Sequence, residues 1–200
     1  MKLSFAKTAF TLVLAVLGFC CGTAQATPQI IISVPDQRLV ILDNGVLVGH
    51  FPVSTSKFGL GDQPNSYATP LGALEVAAKV GADAPLGEVF KGQHPTGEIL
   101  RPNAPGRDPI VTRILHLRGL EAGNARAYDR GIYIHGTPEE SKIGQPASYG
   151  CIRMRSKDVV RVFDSVAVGT KIEIVNTPLR QVMAQIINQR IGQGNRFAAN

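Results

Sequence analysis

The chain has 200 residues, of which 44% are hydrophobic, and its formal net charge is +6 at pH 7. This length and apolar content suffice for one domain with a substantial core. The positive charge is modest and forms no basic cluster, which argues against nucleic acid as a partner.

The first 26 residues have the pattern of a secretory signal peptide. Two lysines precede an apolar run from residue 9 to residue 21, and Ala24-Gln25-Ala26 supplies the small residues of a cleavage site. The run is shorter than the roughly 20 residues that a membrane span needs. We therefore expect an exported chain that begins near Thr27 and has no stable membrane insertion.

The cysteines divide between this segment and the rest of the chain. Cys20 and Cys21 leave lipidation as an alternative, but the large Phe19 stands where that processing prefers a small residue. After cleavage Cys151 is the only cysteine. An unpaired cysteine in an exported protein is an intermolecular link, a reactive thiol or an inert buried side chain.

The predicted elements after the signal peptide begin with strands. Residues 29–34 are a short apolar run, and residues 38–53 read as two strands separated by Asn44-Gly45, a strong signal for a two-residue hairpin. Another strand is predicted from Ala73. These patterns indicate a domain that opens with a β-meander.

The next segment has no regular pattern. Residues 81–109 contain five glycines and five prolines without sustained periodicity, which predicts a long irregular segment. Such segments are typically lids or binding loops, and a passive insertion is the alternative. A strand from Ile110 and another from Gly131 follow. In the latter, alternation places His135 on the face opposite to the apolar Ile134.

Two helices are predicted near the C-terminus. Ser156 is a suitable N-cap for a short helix, and residues 169–175 alternate as a strand. Thr177-Pro178 then provides a cap and a first-turn proline, and apolar residues at helical spacing continue to Ile191. This last helix is expected to pack back on the domain.

The surroundings of Cys151 suggest a reactive thiol. It lies in the segment PASYGCIRMRSKD, where Gly150 permits close backbone approach and Arg153 and Arg155 make the neighbourhood electropositive, which favours the thiolate. A nucleophilic cysteine also needs a base, and His135 at a strand end is the candidate.

The other histidines lack this setting. His50 and His116 fall within strand patterns, where a structural role is expected, and His94 lies in the irregular segment. The sequence has no HExxH motif, no paired cysteines and no close cluster of histidine and aspartate. We therefore expect no metal site and no cofactor.

The segment IHGTPEESKIGQPASYGCIRM, residues 134–154, resembles the signature of L,D-transpeptidase catalytic domains. In that family a histidine followed by glycine or serine precedes an S-x-G-C-[IV]-R block. Residues 33–61 and the ATPLGALEV block at residues 68–76 are also similar to the family's early strands and its threonine-proline-x-glycine turn. The resemblance covers roughly residues 30–175.

The resemblance implies a mostly β fold. It would be a sandwich-like or barrel-like L,D-transpeptidase catalytic domain over residues 27–176, with one or two short helices. A C-terminal amphipathic helix and tail would occupy residues 177–200.

The resemblance also implies an enzyme that acts on peptidoglycan stem peptides. In the family a cysteine thiolate attacks the carbonyl between the third residue and the terminal D-alanine, D-alanine leaves, and a thioester remains. An amine of a second stem peptide, or a lysine of an envelope lipoprotein, then accepts the acyl group. Transfer to water would instead make the enzyme an L,D-carboxypeptidase.

Carried onto this chain, the resemblance assigns roles to five residues. Cys151 would be the nucleophile and His135 the general base and acid. Gly136 or Ser148 would orient the histidine, through a backbone carbonyl or a hydroxyl. The backbone N–H of Gly150 would stabilise the tetrahedral oxyanion.

Three further residues are candidates for substrate binding. Arg153 either meets a substrate carboxylate or forms a salt bridge within its loop, and Tyr133 either lines the cleft or packs in the domain. Tyr149 stands where many members of the family have histidine, so its effect is left open. Two other classes of function remain: a non-catalytic wall-binding module of the same fold, and an exported cysteine peptidase or thiol oxidoreductase, the last disfavoured because no CxxC motif is present.

Overall fold

The computed structural model describes residues 28–197, so the predicted signal peptide lies outside the described residues. The described chain is mostly β-sheet with two α-helices, as the sequence predicts. The strands are β1 (Gln29–Ser33), β2 (Arg38–Asp43), β3 (Val46–Pro52), β4 (Gly72–Val80), β5 (Glu88–Lys91), β6 (His94–Ile99), β7 (Ile110–Gly119), β8 (Tyr133–Gly136), β9 (Ile152–Met154) and β10 (Lys171–Val175); the helices are α1 (Ser156–Ser165) and α2 (Leu179–Phe197).

All ten strands belong to one hydrogen-bonded sheet. Its main path runs in the order β3-β2-β1-β10-β4-β7-β5-β6, and β8 branches from β7. Most neighbours are antiparallel, but β1 pairs with β10, and β8 with β9, in parallel. The parallel pair of β8 and β9 is the part of the sheet that carries the candidate site.

The Asn44-Gly45 prediction is confirmed. These two residues connect β2 and β3 with positive φ angles of 48° and 62°. Asparagine and glycine tolerate this left-handed conformation, which matches the twist of a tight hairpin.

The prediction of an irregular segment over residues 81–109 is wrong in part, because a hairpin of β5 and β6 lies inside it. Gly92 and Gln93 form its turn with φ angles of 56° and 69°. Every residue of β6 is exposed, so the strand has no buried face and leaves no alternating pattern in the sequence. His94 is therefore a strand residue.

The main core lies between the sheet and α1. Isoleucine, leucine and valine side chains from seven strands meet Val159, Val162 and Phe163 of α1, and all of them are buried. Because α1 packs on β7 and β8, it supports the strands that carry the site from the core side.

A second cluster covers the outer face of β1 and β2. Ile31, Val40 and Leu42 pack against the first turns of α2, at Leu179, Val182, Met183 and Ile186. The last helix therefore packs back on the domain, as predicted, although Ile187 and Ile191 of its apolar stripe stay exposed. Neither this helix nor any other in the described part of the chain has the length and apolar character of a membrane span.

Candidate active site

The parallel pairing of β8 and β9 brings the histidine and the cysteine to neighbouring strands. Ile134 pairs with Ile152 and His135 with Arg153, and the two isoleucines are buried in the main core. Cys151 directly precedes β9, and its Sγ lies 3.3 Å from Gly131 O, just before β8. The thiol therefore lies beside the residues that lead into β8, the strand that carries His135.

The imidazole of His135 is buried and held in one tautomer. Its Nδ1 lies 2.8 Å from Gly136 O. A carbonyl oxygen can only accept a hydrogen bond, so Nδ1 carries the proton and Nε2 keeps a free lone pair. Burial lowers the pKa of His135 to about 4, and the backbone hydrogen bond to Gly136 offsets only part of this effect. With its proton on Nδ1, the neutral imidazole presents Nε2 as a proton acceptor.

Gly136 has no room for a side chain. A Cβ at this position would lie 2.5 Å from Val111 O and 3.2 Å from Thr112 Cβ, on the adjacent strand β7. The close approach of β7 leaves the Gly136 carbonyl fixed, and this carbonyl is the partner of the imidazole. Of the two groups that the sequence offered for orienting His135, the structure places only Gly136 O in contact with the ring.

Burial opposes the thiolate form of Cys151 that the sequence favours. Burial raises the pKa of the thiol to about 11. The backbone N–H of Tyr133 and the charges of Arg130 and Arg153 lower the pKa, but their effect is smaller than that of burial. Arg155, counted in the sequence as part of an electropositive neighbourhood, is exposed and belongs to a different cavity. Burial thus favours the uncharged forms of both the thiol and the imidazole.

Arg153 forms a buried ion cluster. Its guanidinium pairs with Asp108 and, at 3.1 Å, with Glu139, and only 3% of its side chain is exposed. Of the two alternatives that the sequence left open, the salt bridge is the one observed. The cluster ties the segment before β7 and the segment after β8 to β9.

Ser148 shapes the turn that carries the cysteine. Its Oγ donates to Cys151 O at 2.6 Å and accepts from Gly150 N at 3.2 Å, so the prediction that it orients His135 is wrong. The Gly150 N–H thus has a long hydrogen bond within the turn. Gly150 itself has a φ of 118°, and a Cβ there would lie 3.2 Å from Ile132 Cδ1.

The two candidate tyrosines, Tyr133 and Tyr149, differ in their exposure to solvent. Tyr133 is half-buried, its ring meets His116 edge-on at 4.7 Å, and its hydroxyl accepts a hydrogen bond from Gln93 at 3.3 Å. Burial raises its pKa. Tyr149 is exposed and lines a surface pocket together with Cys151 and Tyr67. The thiol opens to this pocket, whereas the imidazole lies buried outside its lining.

A family model described as the L,D-transpeptidase catalytic domain, YkuD, matches residues 27–174. The chain belongs to the YkuD family. The resemblance found in the sequence is thereby confirmed.

Individual relatives of this YkuD domain match over shorter segments. YcfS of Escherichia coli K12, named a probable L,D-transpeptidase, is 45% identical over 62 residues, which are 31% of this chain and 19% of that protein. YkuD of Bacillus subtilis strain 168 is 46% identical over 79 residues, 39% of this chain and 48% of that protein. The matched part is thus less than half the length of these relatives.

Solved structures also match this YkuD domain. An L,D-transpeptidase from Mycobacterium tuberculosis H37Rv aligns with 75% of this chain and 58% of its own, at 17% identity and a TM-score of 0.49.

Sequence reasoning missed several groups that shape the site of this YkuD domain. Arg130 pairs with Asp62 at 2.6 Å and donates to Ala68 O at 2.7 Å beside the cysteine turn. Asp108, in the segment predicted to be irregular, is a partner of both Arg153 and Thr137. Neither acid lies in a motif, so only the fold reveals them. Within residues 28–197, no group of three or more histidine, cysteine, aspartate or glutamate side chains is placed to hold a metal ion.

Proposed function

We propose that this chain is an L,D-transpeptidase that uses Cys151 as its nucleophile and peptidoglycan stem tetrapeptides as acyl donors. Membership of the YkuD family supports the reaction class. The observation that carries the assignment of residues is the His135 tautomer, which leaves Nε2 unprotonated on the strand next to a thiol that opens to a surface pocket.

The first step is attack on the carbonyl that precedes the terminal D-alanine. The Cys151 Sγ–H proton passes to His135 Nε2 as the sulfur–carbon bond forms, because burial disfavours the charged forms of both groups before substrate binds. Catalytic hydrogen bonds often tighten only when substrate is bound, so a shorter contact between Sγ and Nε2 is expected in the complex. The buried imidazolium that results is stabilised by Gly136 O and by the carboxylate of Asp108.

The second step breaks the carbon–nitrogen bond. His135 Nε2 returns its proton to the leaving amine, D-alanine departs, and a thioester on Cys151 remains. The backbone N–H of Cys151 is our candidate donor to the oxyanion. The N–H of Gly150 can join it by exchanging its 3.2 Å hydrogen bond to Ser148 Oγ for one to the substrate.

An amine then accepts the acyl group. His135 removes a proton from the attacking amine, and the product is an amide, while Cys151 regains its proton. The acceptor is the side-chain amine of a neighbouring stem peptide, which gives a 3-to-3 crosslink, or a lysine of an envelope lipoprotein. Transfer to water instead of an amine gives an L,D-carboxypeptidase, the second candidate function of the same site.

The substrate and the N-terminal sequence agree on location. Peptidoglycan lies outside the cytoplasmic membrane, and residues 1–26 have the pattern of an export signal. We therefore place the enzyme in the periplasm or cell envelope. Fractionation of cells that make the full chain, with N-terminal sequencing of the exported form, tests this placement.

Product analysis separates the candidate functions. The protein is incubated with a disaccharide tetrapeptide, with and without a second stem peptide, and the products are resolved by mass spectrometry. Crosslinked dimers with release of D-alanine support transpeptidation, and tripeptide alone supports the carboxypeptidase. Binding of peptidoglycan without either product, unchanged in the Cys151→Ala variant, would indicate a non-catalytic wall-binding module.

A further inference from the structure

Three exposed aromatic side chains form a rim beside the cysteine pocket. The ring of Tyr149 lies 5.3 Å from that of Phe58 and 5.8 Å from that of Tyr67. All three are at least half exposed, and Tyr67 and Tyr149 line the pocket that contains Cys151. An exposed apolar cluster of this kind beside a nucleophile indicates a binding surface.

Lys57 lies over this aromatic rim. Its Nζ donates to Tyr149 Oη at 3.1 Å and lies 4.4 Å from the centre of the Tyr149 ring. Its backbone N–H donates to Ser148 O at 3.1 Å, so the Lys57 backbone is attached to the turn that carries Cys151. The ammonium group is thus held against Tyr149, a residue that lines the pocket, by a hydrogen bond and a cation–π contact.

The positively charged side chains near the thiol differ in whether a carboxylate of the protein pairs with them. Arg130 pairs with Asp62, and Arg153 pairs with Asp108 and Glu139. Lys57, in contrast, forms no ion pair with any carboxylate of residues 28–197. Its polar partner is a phenol hydroxyl, which a stronger acceptor can replace. Lys57 is therefore available for an anionic group of a ligand.

We propose that Lys57, supported by Tyr149, binds the C-terminal carboxylate of the acyl-donor tetrapeptide. This proposal rests on the function proposed above, in which the scissile bond is held at Cys151. The terminal carboxylate belongs to the leaving residue, one residue or about 3.8 Å beyond the scissile carbonyl. The long, flexible lysine side chain beside the pocket-lining Tyr149 suits a carboxylate at that point. Phe58 and Tyr67 provide the apolar surface beside it.

A subsite for the terminal carboxylate predicts that the enzyme prefers a substrate with a free carboxylate, and a matched pair of substrates tests this preference. One substrate is the disaccharide tetrapeptide with its free terminal carboxylate, and the other is the same compound as its C-terminal amide. The wild-type protein is expected to have a KM about fivefold lower for the acid, the effect of one partly exposed charge pair. Added salt should reduce the difference.

Variants of Lys57 test the assignment. Lys57→Met is expected to raise the KM for the acid about fivefold, with little change in kcat, and to leave the amide unaffected. Lys57→Arg keeps the charge and should retain the preference. Lys157→Met removes the same charge from an exposed position in α1 and is the matched control. Equal effects of Lys57→Met on acid and amide, or no effect on either, would overturn the proposal.

Binding to the Cys151→Ala variant separates this proposal from the proposed function. If the wild-type protein forms no acyl-enzyme, the proposed function fails, but calorimetry with the acid and the amide still reports on the subsite. Tighter binding of the acid that depends on Lys57 supports the subsite on its own. Equal binding of the two peptides would overturn it.

Discussion

The wild-type protein is expected to lose stability in mild acid because of His135, and the His135→Gln variant is expected to lack this part of the loss. Burial lowers the pKa of this histidine from 6.5 to about 4 in the folded protein. Between these values the unfolded chain binds a proton on His135 and the folded chain does not. The free energy of unfolding therefore rises with pH across this range, and it falls as the solution is acidified.

The two pKa values set the size of the effect. Proton binding to His135 favours the unfolded state in acid. It therefore lowers the free energy of unfolding by about 2.5 kcal/mol when the pH falls from about 8 to about 4.5. Carboxylates whose pKa is lowered in the folded protein, such as those of Glu75 and Glu139, also reduce stability in acid. Their contribution is the same in wild type and variant, so it cancels in the difference between the two profiles.

Urea denaturation at a series of pH values measures this difference. Wild type and His135→Gln should diverge by about 2.5 kcal/mol between about pH 8 and pH 4.5, with the change centred between the two pKa values. The control is His50→Gln, since His50 is exposed, and this variant should follow the wild-type profile. Parallel profiles for wild type and His135→Gln would refute the assignment of a buried, neutral imidazole.

Further predictions concern the cysteine turn and the buried ion cluster. Alkylation of Cys151 by iodoacetamide should be at least about tenfold slower than that of free cysteine at about pH 8 and should rise towards pH 11; a rate that levels off below pH 8 would mean a resting thiolate. Arg153→Met should lower the free energy of unfolding by about 3 kcal/mol, because two acids lose their buried partner, whereas the exposed Arg155→Met should change it by less than about 0.5 kcal/mol; equal effects in urea denaturation would contradict the cluster. Gly150→Ala, at a φ of 118°, should cost about 1–3 kcal/mol and abolish acyl-enzyme formation; a normal mass-spectrometric adduct and unchanged stability would show that the turn accepts a side chain.

Local patterns in the sequence were sufficient for much of the fold. The hairpin at Asn44-Gly45 follows from two adjacent residues that favour positive φ, and the last helix follows from a cap and an apolar stripe. The β5–β6 hairpin was not predictable in the same way, because all of β6 is exposed and no alternation marks it. The exposure of Ile187 and Ile191 was likewise not predictable, because the cluster on β1 and β2 takes in α2 residues only as far as Ile186.

In the site, too, the features set by local sequence were predictable and those set by distant residues were not. Cys151 and His135 stand in a motif that identifies the family, and the orientation of the imidazole by Gly136 O depends on an adjacent residue. The environment of Arg153 depends instead on Asp108, 45 positions away, and no local pattern predicts that pairing.

The opposing effects on the pKa of the thiol were not predictable for a related reason. Nearby arginines were visible in the sequence, but burial and the acids that neutralise Arg153 were not. Tyr149, which the family pattern left open, contacts Lys57, 92 positions away, and no local pattern predicts that contact. Electrostatics at a site depends on every charge and on solvent access, so it requires the fold.

The most direct test of the central claim is the intact mass of the protein after mixing with disaccharide tetrapeptide. A thioester on Cys151 is expected, with a mass increase equal to the disaccharide tripeptide acyl group and release of D-alanine. The adduct should map to Cys151 after digestion, be absent in Cys151→Ala, and form far more slowly in His135→Gln. An unmodified wild-type protein, or an adduct that persists in Cys151→Ala, would contradict the proposed nucleophile.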